Sequence, residues 1–120
     1  MCCLKPGVPG VSDNIRVRSI IGRLLEHTRV FHFHNDGKSE TWCSSADFMS
    51  RNMFHRVETC FPLLDKKLAN RVRKDLETYL VDNCQSWLLQ TDGSYRLQDP
   101  GDSDAISAQE TLLYAYASKS

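Results

Sequence analysis

Ser12-Asp13-Asn14-Ile15-Arg16-Val17-Arg18-Ser19-Ile20-Ile21-Gly22-Arg23-Leu24-Leu25-Glu26-His27-Thr28-Arg29-Val30 decides how the first half of the chain is read. Ser12 or Asp13 can cap a helix by accepting from backbone N–H groups that lack intrahelical partners. Val17, Ile20, Ile21, Leu24 and Leu25 recur at helical spacing, with Arg16 and Arg23 on the polar side. The spacing predicts an amphipathic helix that hands His27 to the first residue of a strand. From His27 the period changes to two: Arg29, Phe31 and Phe33 fall on its face, and Val30, His32 and His34 on the other.

Downstream, Asn35-Asp36-Gly37-Lys38 reads as a hairpin turn, with Gly37 suited to a positive φ. Residues 39–45 return as a second strand, and 56–61 read as a third that Pro62 ends. Asp65 can cap a helix over 66–81, with Leu68, Val72, Leu76, Tyr79 and Leu80 inward and Lys66, Lys67, Arg71, Lys74 and Glu77 in water. Residues 85–90 form a fourth strand, turned at Asp92-Gly93, and 98–104 form a polar loop. Ser107-Ala108-Gln109-Glu110 is a capping box opening a final helix, with Leu112, Leu113 and Tyr116 as its buried side. The order α-β-β-β-α-β-α predicts an α/β fold: a mixed β-sheet flanked by helices, in one domain over residues 1–120. Upstream, Pro6, Gly7, Pro9 and Gly10 make a loop. The apolar start before them reads as the end of a strand whose beginning is missing.

With 41% hydrophobic and 25% charged residues, the composition is that of an ordinary soluble domain. Zero net charge gives no global field toward nucleic acid or an anionic membrane. Basic side chains nonetheless prevail over residues 1–29 and acidic ones over 92–110. The basic helix 66–74 lacks interleaved aromatics, which argues against nucleic-acid binding. Five scattered cysteines without zinc spacing point to reduced thiols in a cytosolic protein. No apolar run approaches the ~20 residues needed to span a bilayer.

His27 is the first candidate for chemistry. An imidazole with an ordinary pKa of about 6.5 gives or takes a proton near neutrality, and Arg29 brings a guanidinium suited to phosphate oxygens. Ser44-Ser45-Ala46-Asp47-Phe48-Met49-Ser50-Arg51-Asn52 adds small hydroxyl residues that let backbone approach an anion, with Arg51 and Asn52 as donors. The competing readings are a surface histidine at a junction and a Ser45–Asp47 turn. His32 and His34 have metal-compatible spacing, but no third ligand is apparent, which favours a packed or half-exposed pair.

Taken together, these segments resemble the C-terminal domain of the long-chain polyphosphate kinase family. The resemblance is carried by Leu4-Lys5-Pro6-Gly7-Val8, Val11-Ser12-Asp13-Asn14-Ile15-Arg16-Val17, Arg23-Leu24-Leu25-Glu26-His27, Phe33-His34-Asn35, Ser44-Ser45-Ala46-Asp47, Arg51-Asn52 and Arg56-Val57-Glu58. It is dense over residues 1–62 and looser beyond. Two departures stand out: Asp36-Gly37 where the family has Gly-Gly, and Phe48 where it commonly has Trp.

The resemblance implies the second of two phospholipase D-like domains in an enzyme that reversibly moves the terminal phosphate of ATP onto inorganic polyphosphate. Transfer would run through a phosphohistidine, with magnesium. His27 would be the catalytic histidine that contacts the nucleotide phosphates, with Arg29, Arg51 and Asn52 as the other ATP-contacting candidates. The phosphorylated histidine, an ATP-binding arginine and the magnesium ligands would lie outside this chain, in the preceding domains of the parent, leaving the fragment alone inactive. A homo-oligomeric, cytoplasmic parent, in peripheral contact with the membrane, is also implied. Two alternatives stand beside it. A phospholipase D-like phosphodiesterase would need H-x-K-x-x-x-x-D, whereas Arg29 and His34 occupy the lysine and acid positions. The other is a non-catalytic assembly domain.

Overall fold

No helix forms between Ser12 and Leu25. In the computed structural model, which describes residues 3–45, 47, 49 and 54–118, this segment is a turn followed by strand β1 (Arg18–Ile20). Ser12 is buried as the centre of that turn. Its hydroxyl donates to the Lys5 carbonyl (2.6 Å) and accepts from Val8 N–H (2.9 Å). A hydroxyl so occupied cannot cap a helix. The stripe Val17–Ile21 also suits a strand, because β-branched residues pack well on a pleated surface, and pairing with a distant strand decides the outcome.

The remaining elements are β2 (Val30–Phe33), β3 (Glu40–Ser44), β4 (Cys60–Pro62), α1 (Lys66–Val81), β5 (Ser86–Leu89), β6 (Tyr95–Leu97) and α2 (Ala108–Ala117). The α/β class is as expected, but the strands make two three-stranded antiparallel sheets, β1-β5-β6 and β2-β3-β4, in place of one mixed sheet. The chain divides accordingly into two compact units: Met1–Leu25 with Thr78–Ser120, and Glu26–Glu77. Neither helix is long and apolar enough to cross a membrane.

In the first unit, β5 pairs with β1 (Ser19 opposite Trp87) and with β6 (Leu88 opposite Arg96). The β5–β6 hairpin closes at Gly93, whose φ of +89° is in the left-handed region open to glycine. Among the described residues only Pro6, Leu89 (8% exposed) and Ala108 (0%) are buried apolar side chains. Leu112 is half-buried, while Leu113 and Tyr116 are exposed rather than buried as the pattern predicts.

Polar groups fill the centre instead. Asp82, which follows α1 directly, is fully buried. Its Oδ2 accepts from Ala108 N–H (2.7 Å) at the start of α2, and Oδ1 accepts from Gln85 N–H (2.8 Å), Cys84 N–H (3.2 Å) and the Ser86 hydroxyl (3.2 Å). Burial alone would raise the carboxyl pKa; the bonds from Ala108, Gln85, Cys84 and Ser86 outweigh it and hold the group below the usual carboxylate range. Ser107 is the N-cap of α2, accepting from Glu110 N–H.

Gln109, 6% exposed, acts as a substitute backbone: its amide accepts from Leu24 N–H (3.0 Å) and donates to Leu24 C=O (2.7 Å). Gly22 makes room for it. A Cβ there would lie 2.3 Å from Gln109 Oε1 and 2.7 Å from its Cδ. Glutamine ends are normally pliable, but this one is spoken for by two hydrogen bonds. Gly22→Ala should therefore destabilise the chain by about 1–3 kcal/mol, the usual range for overpacking. A shift of the urea midpoint at constant slope would show it, and an unchanged midpoint would refute it.

In the second unit, β2 and β3 form a hairpin (Phe31 opposite Trp42) and β4 adds at the far side of β3 (Cys43 opposite Phe61). The hairpin loop holds a 3₁₀ turn over Asn35–Gly37, with positive φ at Asn35 (48°), Asp36 (51°) and Gly37 (86°), so three residues share the left-handed conformation predicted for glycine alone. Strand β4 is shorter than expected and includes Pro62 rather than stopping before it. An outer strand tolerates proline, because one of its edges needs no N–H. Helix α1 has the predicted bounds. Asp65 caps it, accepting from Lys67 N–H (2.8 Å) and Leu68 N–H (3.1 Å). Its apolar stripe is less covered than the pattern suggests: Val72, Leu76 and Tyr79 are half-buried, but Leu68 and Leu80 are exposed.

Candidate functional site

His27 lies three residues before β2, in irregular backbone, and not at the strand's first position. It is exposed, and among the described residues its ring has no hydrogen-bond partner. The backbone of His27 is nevertheless held. Arg29, two residues on and half-buried, donates from Nη1 to the His27 carbonyl at 3.0 Å.

The rest of the Arg29 fork meets Asp47. Nε donates to Oδ1 at 2.7 Å and Nη2 to Oδ2 at 3.2 Å, a bidentate guanidinium–carboxylate pair. The hydrogen bond and the charge of Asp47, with a lesser contribution from the Glu58 charge, raise the Arg29 pKa above its already high ordinary value. Arg29 is thus a permanent cation. A guanidinium carries five N–H donors; among the described residues three are engaged, which leaves two for an anion.

Strand pairing carries Asp47 to this place. Ser44 N–H donates to Arg29 C=O (3.0 Å), extending the β2–β3 ladder to the segment before Asp47. Ser45 then anchors the outgoing chain: its N–H donates to Thr59 C=O (2.9 Å), and its hydroxyl accepts from Thr59 N–H (2.9 Å) and donates to Glu58 Oε2 (2.6 Å). The Ser45–Asp47 segment is therefore more than a local turn. It links the Arg29 clamp to Glu58. Asp47 and Glu58 were not evident as partners in the sequence, since they lie 18 and 29 positions from Arg29 with no periodic relation to it. Arg51 and Asn52 lie outside the described residues.

The other histidine pattern dissolves. The His32 ring is hydrogen-bonded to the Thr41 hydroxyl (Nδ1 to Oγ1, 3.0 Å), across the sheet from a residue only 5% exposed. His34 leaves the strand and precedes the 3₁₀ turn, exposed. Among the described residues no three His, Cys, Asp or Glu side chains converge as metal ligands. A separate open cavity of about 620 Å³ lies against His32, Thr41, Lys38, Lys66, Asn70 and Arg73, away from the His27 group.

The chain as a whole has close relatives. Residues 1–109 match the family model described as polyphosphate kinase C-terminal domain 2. The polyphosphate kinase of Pseudomonas aeruginosa is 60% identical over 114 residues, which is 94% of this chain and 16% of that protein. Polyphosphate kinase 1 of Chlorobaculum tepidum is 50% identical over 113 residues, with the same two shares. The crystal structure of polyphosphate kinase from Porphyromonas gingivalis superposes with a TM-score of 0.91 at 36% identity, over 99% of this chain and 18% of that one. The chain thus spans about one sixth of the length of the curated relatives it matches. By sequence and by fold alike, it belongs to the polyphosphate kinase C-terminal domain 2 family.

Proposed function

We propose that this chain supplies one wall of a phosphoryl-transfer site, in an enzyme that reversibly moves the terminal phosphate of ATP to inorganic polyphosphate. The observation that carries the reading is an exposed imidazole whose main chain is held by a guanidinium that, among the described residues, has two N–H groups to spare. Such a pair suits a phosphate chain: with its charge balanced by Asp47, the fork can still donate N–H bonds to the oxygens of the transferring phosphoryl. The imidazole donates a proton or a hydrogen bond to the phosphate oxygens as charge shifts between donor and acceptor. The family resemblance adds Arg51 and Asn52 as candidate hydrogen-bond donors to phosphate.

The nucleophilic histidine is assigned to a preceding domain of the parent chain, and the reaction to a homo-oligomeric enzyme in the cytoplasm. The described residues do not build a magnesium centre. Any magnesium would be held by residues of the parent's other domains.

A graft tests the reading. The matching segment of the full-length Pseudomonas aeruginosa enzyme is replaced by this chain, and ATP-dependent polymer formation is measured. The hybrid should synthesise polyphosphate within about tenfold of its host, since a correctly held site retains most transition-state stabilisation. A folded hybrid with no synthesis would sink the proposal.

A further inference from the structure

We infer that Asp47 is the positioning residue of this phosphoryl-transfer site: it fixes the Arg29 fork so that one edge grips the His27 carbonyl and two N–H donors remain for phosphate. The inference rests on the reading proposed above and adds a residue that touches neither nucleotide nor polymer.

A guanidinium on a three-carbon stem has many rotamers, and holding one of them costs side-chain entropy. The His27 carbonyl alone, a single acceptor at 3.0 Å, leaves the plane of the fork free to swing about that contact. The two oxygens of Asp47, at 2.7 and 3.2 Å from Nε and Nη2, define the plane. The direction of the fork's remaining edge follows from that plane. Asp47 is itself located by main-chain pairing two and three residues earlier, where Ser45 bonds to Thr59 and Ser44 to Arg29. Electrostatics agrees with this division of labour. A carboxylate beside a phosphate site repels the substrate unless its charge is taken up, and here the guanidinium takes it up. An Asp47 meant to touch phosphate would be a poor choice; an Asp47 meant to hold Arg29 is a good one.

The test uses the hybrid enzyme with Asp47→Asn, Asp47→Glu, Arg29→Gln and the double change Asp47→Asn/Arg29→Gln. Misalignment of a transition-state contact lowers kcat more than it raises KM. Asp47→Asn should lower kcat about tenfold with the KM for ATP within about twofold of the parent. Asp47→Glu, which keeps a bidentate acceptor, should recover part of the loss. The double change should lower kcat no further than Arg29→Gln alone, because in this role the aspartate acts through the arginine. Wild-type kcat in Asp47→Asn, or multiplicative losses in the double change, would overturn the inference.

A second readout does not depend on catalysis. In the 120-residue chain, the ¹³C resonance of the His27 carbonyl should move in the same direction in Asp47→Asn and Arg29→Gln as its hydrogen bond is lost. A resonance that stays in place in Asp47→Asn also overturns it. Failure here, with His27 still essential, would spare the wider proposal; an inactive hybrid with this shift intact would spare the clamp and condemn the proposal.

Discussion

His27→Gln in the hybrid enzyme should reduce kcat by about 10²–10⁴-fold, the range for removing a positioned acid–base group. Glutamine keeps a hydrogen-bond donor of similar reach and an uncharged side chain but cannot pass a proton near neutrality. Loss with glutamine as well as with alanine therefore separates proton donation from simple contact. The KM for ATP should change little, because a group that acts as charge develops contributes mainly in the transition state. The fold itself should be indifferent: the imidazole is exposed and among the described residues only the His27 carbonyl, retained in any variant, has a partner. Thermal melts should superimpose. Wild-type turnover in His27→Gln would remove the proton from the mechanism, and wild-type turnover in His27→Ala would remove the residue.

Asp82→Ala should destabilise the chain by about 3 kcal/mol or more. The change strands the buried N–H of Ala108 and the part-buried N–H of Gln85, at roughly 1–3 kcal/mol for a fully buried group. It also takes a negative charge from the N-terminus of α2, where the helix dipole favours one. Asp82→Asn is the milder variant, since it keeps one acceptor oxygen but turns an amide NH₂ toward another donor.

The same group sets an acid limit. Its pKa is lower in the folded chain than in the unfolded one, so the unfolded state binds its proton first as pH falls. The stabilisation is present in full above the unfolded value of about 3.9 and drains away as pH drops through the folded value beneath it. Denaturant titrations from pH 6 down to pH 3 should show stability falling more steeply in the parent chain than in Asp82→Asn. Parallel curves would mean that another carboxylate controls acid unfolding.

Helix α1 was legible because its signals are local: a cap at Asp65, apolar residues at helical spacing and charges opposite. Strand β3 and the Ser107 cap were legible for the same reason. Strand β1 was not, because Val17, Ile20 and Ile21 fall at helical spacing, and only their β-branched shape hints at a strand. Its partner β5 lies about 70 positions away and leaves no mark nearby. His27 was recognisable as the residue from which the period changes, and its exposure follows from lying between elements. The clamp behind it was hidden, since Arg29 looks the same in sequence whether it faces a substrate or Asp47. The polar centre of the first unit was hidden more deeply. Asp82 follows a helix and reads as a loop residue; only the return of Ala108, 26 positions later, makes it central.

Pro62 has a consequence for how molecules of this protein treat one another. It sits in the outer strand of its sheet, opposite Trp42, and its nitrogen carries no hydrogen. A stray strand approaching that margin meets a gap in the row of donors it would need for docking. The short, interrupted border beside the exposed Cys60 and Phe61 is a poor template for strand addition, and Pro62→Val should speed aggregation, as followed by light scattering.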